Sequence, residues 1–190
     1  WTQKVDFGGT GRWGAVGFSI GNRLYIGTGG DLFISKLQDF WEYCVCEPIC
    51  LITVDSTSTK NVVVWEKPIT ADIDSFRIYR DIIGNYTYIG SVAYNALSEF
   101  KDNTPGINPN VSSYRYKIST VDTLGFESCL SDFHKTIHLQ ISLGLPPAIN
   151  LSWDDYIGFP TTYYRILRDS TGLGNWEIID SVAFDILSLT

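Results

Sequence analysis

The groups in this chain able to bind a metal or move a proton are few: 4 cysteines, 2 histidines and 21 carboxylates. Cys44, Cys46 and Cys50 lie close together, and Cys129 lies far from them. Their spacing, C-x-C-x3-C, departs from the paired C-x2-C of a zinc knuckle. In an exported protein a disulfide from this cluster to Cys129 is the expected chemistry. His134 and His138 would converge on one metal if they lay on a helix. On a strand they share a face but stand too far apart, and no carboxylate accompanies them. Asp72 with Asp74, and Asp154 with Asp155, supply too few oxygens for calcium, which takes roughly six to eight. Ser131, Asp132 and His134 have the residue types of a triad, yet neighbours along one strand cannot converge. There is no nucleophile elbow and no pair of acids in a pocket-forming context. These residues predict no enzyme, no cofactor and no bound metal.

The segments that carry them occur twice. Phe76-Arg77-Ile78-Tyr79-Arg80-Asp81 returns as Tyr164-Arg165-Ile166-Leu167-Arg168-Asp169. Upstream, Val63-Val64-Trp65-Glu66 answers Leu151-Ser152-Trp153-Asp154. Downstream, residues 89–98 answer residues 179–188, with Ser91-Val92-Ala93 matching Ser181-Val182-Ala183. The intervening turn is two residues longer in the second copy. That copy reaches Thr190, which aligns with Phe100. Self-similarity at this period means tandem copies of one domain.

Composition agrees with strands. Aromatics make up 14% of the chain, methionine is absent, and Thr, Ser, Ile and Val are plentiful. The net charge of −7 argues against a nucleic-acid partner. No apolar run approaches the ~18 residues of a membrane span. The chain opens on Trp1, and we expect an internal piece of a longer or processed protein, with other domains of the parent chain as its first partners.

Residues 1–43 are Gly-rich and aromatic. Short strands are expected at 13–20, 24–30 (closing on its glycines) and 39–43, with glycine turns that include Gly21-Asn22. Arg12, Tyr25-Ile26-Gly27-Thr28-Gly29-Gly30 and Asp39-Phe40-Trp41-Glu42-Tyr43 together resemble a kelch repeat, one blade of a β-propeller. Trp1-Thr2-Gln3-Lys4 is similar to the last strand of a preceding blade. The resemblance makes Arg12 and Trp41 structural. A single blade cannot bury both its faces, so the segment is expected to belong to a larger propeller, to pack on the next domain, or to associate between chains.

Residues 44–49 are expected to form a linker, and residues 50–139 carry seven short strands. Trp65 lies on the second and Tyr114 opens the sixth. In 75–80, Phe76, Ile78 and Arg80 alternate against Arg77 and Tyr79. In 113–122, Tyr114, Tyr116 and Ile118 alternate against Arg115 and Lys117. This pattern resembles a fibronectin type III domain, a β-sandwich in which Trp65 is the core tryptophan and Tyr114 the tyrosine-corner residue. Within that fold the first and last strands lie near each other, which predicts a Cys50–Cys129 disulfide. Residues 140–190 begin the sandwich again around Trp153, with the fifth to seventh strands absent. The expected fold is therefore all-β: one kelch-like blade, one complete fibronectin type III-like sandwich and the first half of another.

Asn85, Asn110 and Asn150 head N-glycan sequons. Ser56, Thr123, Ser170 and Ser181 follow aspartates in the pattern of bacterial O-glycosylation. The order of modules resembles large exported surface proteins of Bacteroidetes. That resemblance implies a non-catalytic extracellular or cell-surface module. Two alternatives stand beside it: a subunit of a self-assembling surface filament, whose open strand edges are completed by neighbouring chains, and a spacer of a secreted enzyme.

Overall fold

The computed structural model describes residues 9–20, 23–33, 35–44, 46–69 and 72–190. All regular structure among them is β, and every strand pairing is antiparallel. The segment 1–4 and the turn Gly21-Asn22, both assigned from sequence, lie outside the described residues.

An N-terminal sheet has the order β1 (Val16–Ile20), β2 (Arg23–Gly27), β3 (Phe40–Cys44). The first strand starts later than its sequence suggests, and Trp13 makes only an isolated bridge to Gly30. Gly27 is required by packing: a Cβ there would stand 2.4 Å from the Phe40 ring. All five residues of β1 are exposed, so the described sheet presents apolar surface at Val16, Phe18 and Ile20.

The middle region is a sandwich of seven strands. They are β4 (Ile49–Val54), β5 (Asn61–Trp65), β6 (Ile73–Ile82), β7 (Asn85–Ala93), β8 (Glu99–Lys101), β9 (Arg115–Asp122) and β10 (His134–Lys135). One sheet has the order β4-β5-β8 and the other β10-β9-β6-β7. The period-two alternation read from sequence points Val63 and Trp65 of β5, Phe76 and Ile78 of β6, and Tyr116 and Ile118 of β9 into one core. Burying each of these side chains contributes about 1.5–3 kcal/mol. The hairpin between β6 and β7 turns on Ile83 and Gly84, both at positive φ (53° and 82°). Such a two-residue turn matches the twist of the strands, although Ile83 is a poor residue for that conformation.

A second unit follows: β11 (Leu139–Leu143), β12 (Ile149–Trp153), β13 (Tyr163–Arg168), β14 (Glu177–Ala183) and β15 (Ser188–Leu189). Its sheets are β11-β12-β15 and β13-β14. Two expectations are corrected here. Leu139, placed at the end of the first sandwich, opens β11 and pairs with Trp153. The fifth strand, expected to be absent, is present as β15 on β12.

The repeat persists down to single hydrogen bonds. Trp65 packs on Phe76 at 5.1 Å and Trp153 on Tyr164 at 5.8 Å. The register breaks between Ile78 and Tyr79 in the first copy and between Ile166 and Leu167 in the second. Tyr94 N–H donates to Asp74 O at 2.8 Å, and Phe184 N–H to Thr162 O at 3.2 Å. The last strand departs by one residue. Val63 pairs with Phe100 and Leu151 with Leu189, not with Thr190. A one-residue slip exchanges the faces of a strand, and here it sets an apolar residue where Phe100 stands in the first copy.

Candidate functional site

The seam between the sandwich and the second unit joins residues distant in sequence. β10 pairs with β9 on one side. On the other, Lys135 N–H donates to Ile157 O at 2.7 Å, so the segment after β12 extends the sheet. That segment delivers Tyr156 into a buried position, 6% exposed. The Tyr156 hydroxyl accepts from Ile52 N–H on β4 at 3.0 Å and lies 2.8 Å from His134 Nδ1. Phe159 packs on Tyr156 at 4.6 Å and edges His134 at 6.2 Å. Gly158 has no alternative, because a Cβ there would reach 2.3 Å from the His134 ring. Burial pushes the Tyr156 phenol up and His134 down, the latter against the charge of Asp132. A neutral His134 ring accepting the phenol proton fits both directions. One polar group of the second unit thus satisfies a strand-edge amide and a buried imidazole on the two sheets of the sandwich.

Beneath the seam lies a buried polar network. Arg80 Nη1 stands 2.5 Å from Asp102 Oδ2, and both side chains are almost wholly enclosed. Tyr116 OH donates to Asp102 at 2.9 Å and accepts from Asn61 Nδ2 at 2.9 Å. Burial works to raise the Asp102 carboxyl, but hydrogen bonds from Thr104, Arg80 and Tyr116 outweigh it and hold it below its ordinary value. Burial, with the charge of Asp102, lifts Tyr116 far above the usual phenol range. Every formal charge in this network is consumed inside the fold. A second cluster sits at the surface of the same sheet, where Glu127 receives Arg77, Tyr79 and Ser119.

The cysteines correct the sequence reading. Cys129 is bonded to Cys46, not to Cys50. Cys50 lies on an exposed position of β4 beside the register break between Ile49 and Leu51 and stays free. Cys46 precedes the strand and reaches Cys129 with a Cα–Cα distance of 5.6 Å, within the range a disulfide needs. Cys44, the last residue of β3, is free but adjacent: the Cys129 amide donates to its Sγ at 2.7 Å. The three sulfurs of Cys44, Cys46 and Cys129 lie within 4.8 Å of one another.

The other sequence candidates fall at separate places. Arg12 makes a two-pronged pair with Asp39, at 2.6 and 2.8 Å, and Trp41 Nε1 donates to the same carboxylate. The Arg12 and then the Trp41 hydrogen bonds hold Asp39 well below the usual carboxylate range. Tyr114 OH meets the backbone of Asn108, accepting from its N–H at 3.1 Å. Trp65 and Trp153 are 2% and 8% exposed, each with an indole N–H that has no hydrogen-bond partner among the described residues. Ser56, Asn85, Asn110, Thr123 and Ser170 are exposed at turns or strand ends, whereas Asn150 and Ser181 lie within β12 and β14. His138 points elsewhere from His134, its Nε2 lying 3.2 Å from Asn110 O. Sequence reasoning missed the Arg80 network, although Arg80 alternates with Phe76 and Ile78 and a charge on a core face demands a buried partner. Nothing in the sequence signals the contact of His134 with Tyr156.

Comparison with models of known protein families gives no match, and comparison with curated proteins gives no significant match.

Proposed function

We propose that this chain is a non-catalytic structural and interaction module of a larger extracellular or cell-surface protein: a kelch-like blade followed by two fibronectin type III-like units held in fixed relation. The observation that carries this reading is the seam. Tyr156 closes onto Ile52 and His134, so the chain spends its buried histidine on holding two units together rather than on a cleft. The disulfide anchors the segment before the first sandwich in the same way, and an oxidising compartment suits it. Exposed Ser56, Asn85, Thr123 and Ser170 leave positions for glycans on such a surface protein. The test is rotational diffusion of the full chain by nuclear-spin relaxation. A single correlation time for residues 50–136 and 139–190 is expected, with decoupling in Tyr156→Ala. Independent tumbling of the two units in the unaltered chain would end this reading.

A second reading, self-association, is favoured by one feature. A groove of about 720 Å3 opens between the sheets of the second unit, lined by Ile141, Ile149, Leu151, Leu167 and Trp176. Contiguous apolar surface of this kind marks interaction sites. Sedimentation of the full chain and of Ile141→Asp distinguishes the readings: filament or oligomer formation abolished by the aspartate supports assembly through this face.

A further inference from the structure

The Cys44, Cys46 and Cys129 cluster combines a free thiol and a disulfide at contact range. Cys44 terminates β3, and Cys46 follows after a single residue, so both sulfurs are carried to the sandwich by one short stretch of chain. The Cys129 backbone amide fixes Cys44 Sγ beside the sulfur of its own residue. Three sulfurs within 4.8 Å leave no diffusive step between thiol and disulfide. Exchange needs an attacking thiolate, a reachable disulfide sulfur and a leaving thiolate. The thiol that becomes the attacker, the disulfide sulfur and the leaving sulfur are all within this cluster, so no outside reagent is needed.

We infer that Cys44 is a resident exchange thiol, which moves the bridge between Cys46–Cys129 and Cys44–Cys129. Cys44 gives up its proton to solvent, and the thiolate attacks Cys129 Sγ. A Cys44–Cys129 bond forms as the Cys46–Cys129 bond breaks. The electron pair leaves on Cys46 Sγ, which takes a proton. One disulfide and one thiol stand on each side, so no oxidant or reductant is consumed. The two bridges close loops of sequence separation 83 and 85, which makes their loop-closure entropies nearly equal. What changes is the tether. With Cys46 the bridge lies in the connecting segment. With Cys44 it lies on the last residue of β3, and the N-terminal sheet is bound to the sandwich directly. The site is thus a joint with two covalent settings.

The experiment uses the full oxidised chain. Free thiols are alkylated in the folded protein at mildly alkaline pH over a time course. The sample is then acid-quenched, unfolded, reduced and marked with a second reagent, and each cysteine is assigned by fragment-ion mass spectrometry. Cys50, exposed and outside the cluster, is the internal standard. In the unaltered chain label is expected at Cys44 early and at Cys46 with time. In Cys44→Ser, Cys46 labelling is expected to fall by roughly tenfold or more, since its release then has no internal attacker. Cys46→Ser is expected to form a Cys44–Cys129 bond. Cys46 that never labels in the unaltered chain, or labels equally in Cys44→Ser, overturns the inference. So does folded Cys46→Ser with Cys44 and Cys129 both free. Should Cys46→Ser fail to fold, the comparison of the unaltered chain with Cys44→Ser decides alone.

Discussion

The two copies of the sandwich plan share a tryptophan, a bulge and a hairpin corner, but differ in what lies over their inner face. In the first, Phe76, Ile78 and Arg80 are 0%, 0% and 6% exposed. In the second, Tyr164 and Ile166 are half-buried and Arg168 is exposed. The strand sequences are too alike to account for this. The difference is β9, which lies beside β6, carries Tyr116 and Ile118 into the core, and through the Tyr116 hydroxyl holds Asp102, which neutralises Arg80. Residues 139–190 contain no strand beside β13 other than β14. Local pattern therefore sets the shape of each hairpin, while burial comes from β9, about forty residues away in sequence, and charge compensation from Asp102 just after β8.

Substitutions at equivalent positions should break this comparison open. Arg80→Met leaves Asp102 as a lone buried charge and should cost about 3–5 kcal/mol. Arg168→Met, at an exposed site, should stay within about 0.5 kcal/mol. Urea unfolding of both measures the contrast, and equal effects would mean that the covering strand does not set the energetics.

Cys129→Ser removes the bridge whichever partner holds it, and the loop-closure model gives a loss of roughly 4 kcal/mol. Cys46→Ser should lose much less if Cys44 takes over. Thermal unfolding under non-reducing conditions compares the two.

Gly90 and Asp180 occupy matching bulges. A Cβ at Gly90 would meet the Phe100 ring at 2.6 Å, so Gly90→Ala should cost about 1–3 kcal/mol by overpacking. In Phe100→Leu, which copies Leu189, the penalty should shrink, and a double-mutant cycle reads the coupling.

The seam adds a dependence on pH. Burial depresses the His134 pKa in the folded chain, so the unfolded chain binds a proton first as pH falls. The stabilisation is complete above the unfolded value of about 6.5 and is lost below it, down to the depressed folded value, by no more than about 1.4 kcal/mol per pH unit. His134→Gln should flatten that segment of the stability profile in denaturant titrations. A gain rather than a loss is expected at the first hairpin: Ile83→Asn, better suited to positive φ, should stabilise by about 1 kcal/mol without altering the second copy, whose corner is two residues longer.

How far the sequence reaches can be judged from these same residues. Trp65, Trp153 and the alternation in β5, β6 and β9 were legible because period-two patterning and repetition are local properties of a chain. The fifth strand of the second unit was missed because two residues, Ser188 and Leu189, are too few to carry a pattern. The disulfide was assigned to Cys50 because proximity of strands was used as a guide, whereas bonding depends on where each Cβ points. Cys50 faces outward on β4, and Cys46 does not belong to the strand.

Alone, then, the amino-acid order determined an all-β chain, a tandem repeat and the residues that face inward along each strand. Backbone sterics and side-chain alternation act over a few neighbours, and that suffices. Only the tertiary structure decided that Cys46 rather than Cys50 holds Cys129, that Arg80 is neutralised by Asp102, and that Tyr156 locks His134 against Ile52. Each of these joins groups 22 or more residues apart. Their meeting depends on how sheets pack and register, and no local preference of the chain encodes that.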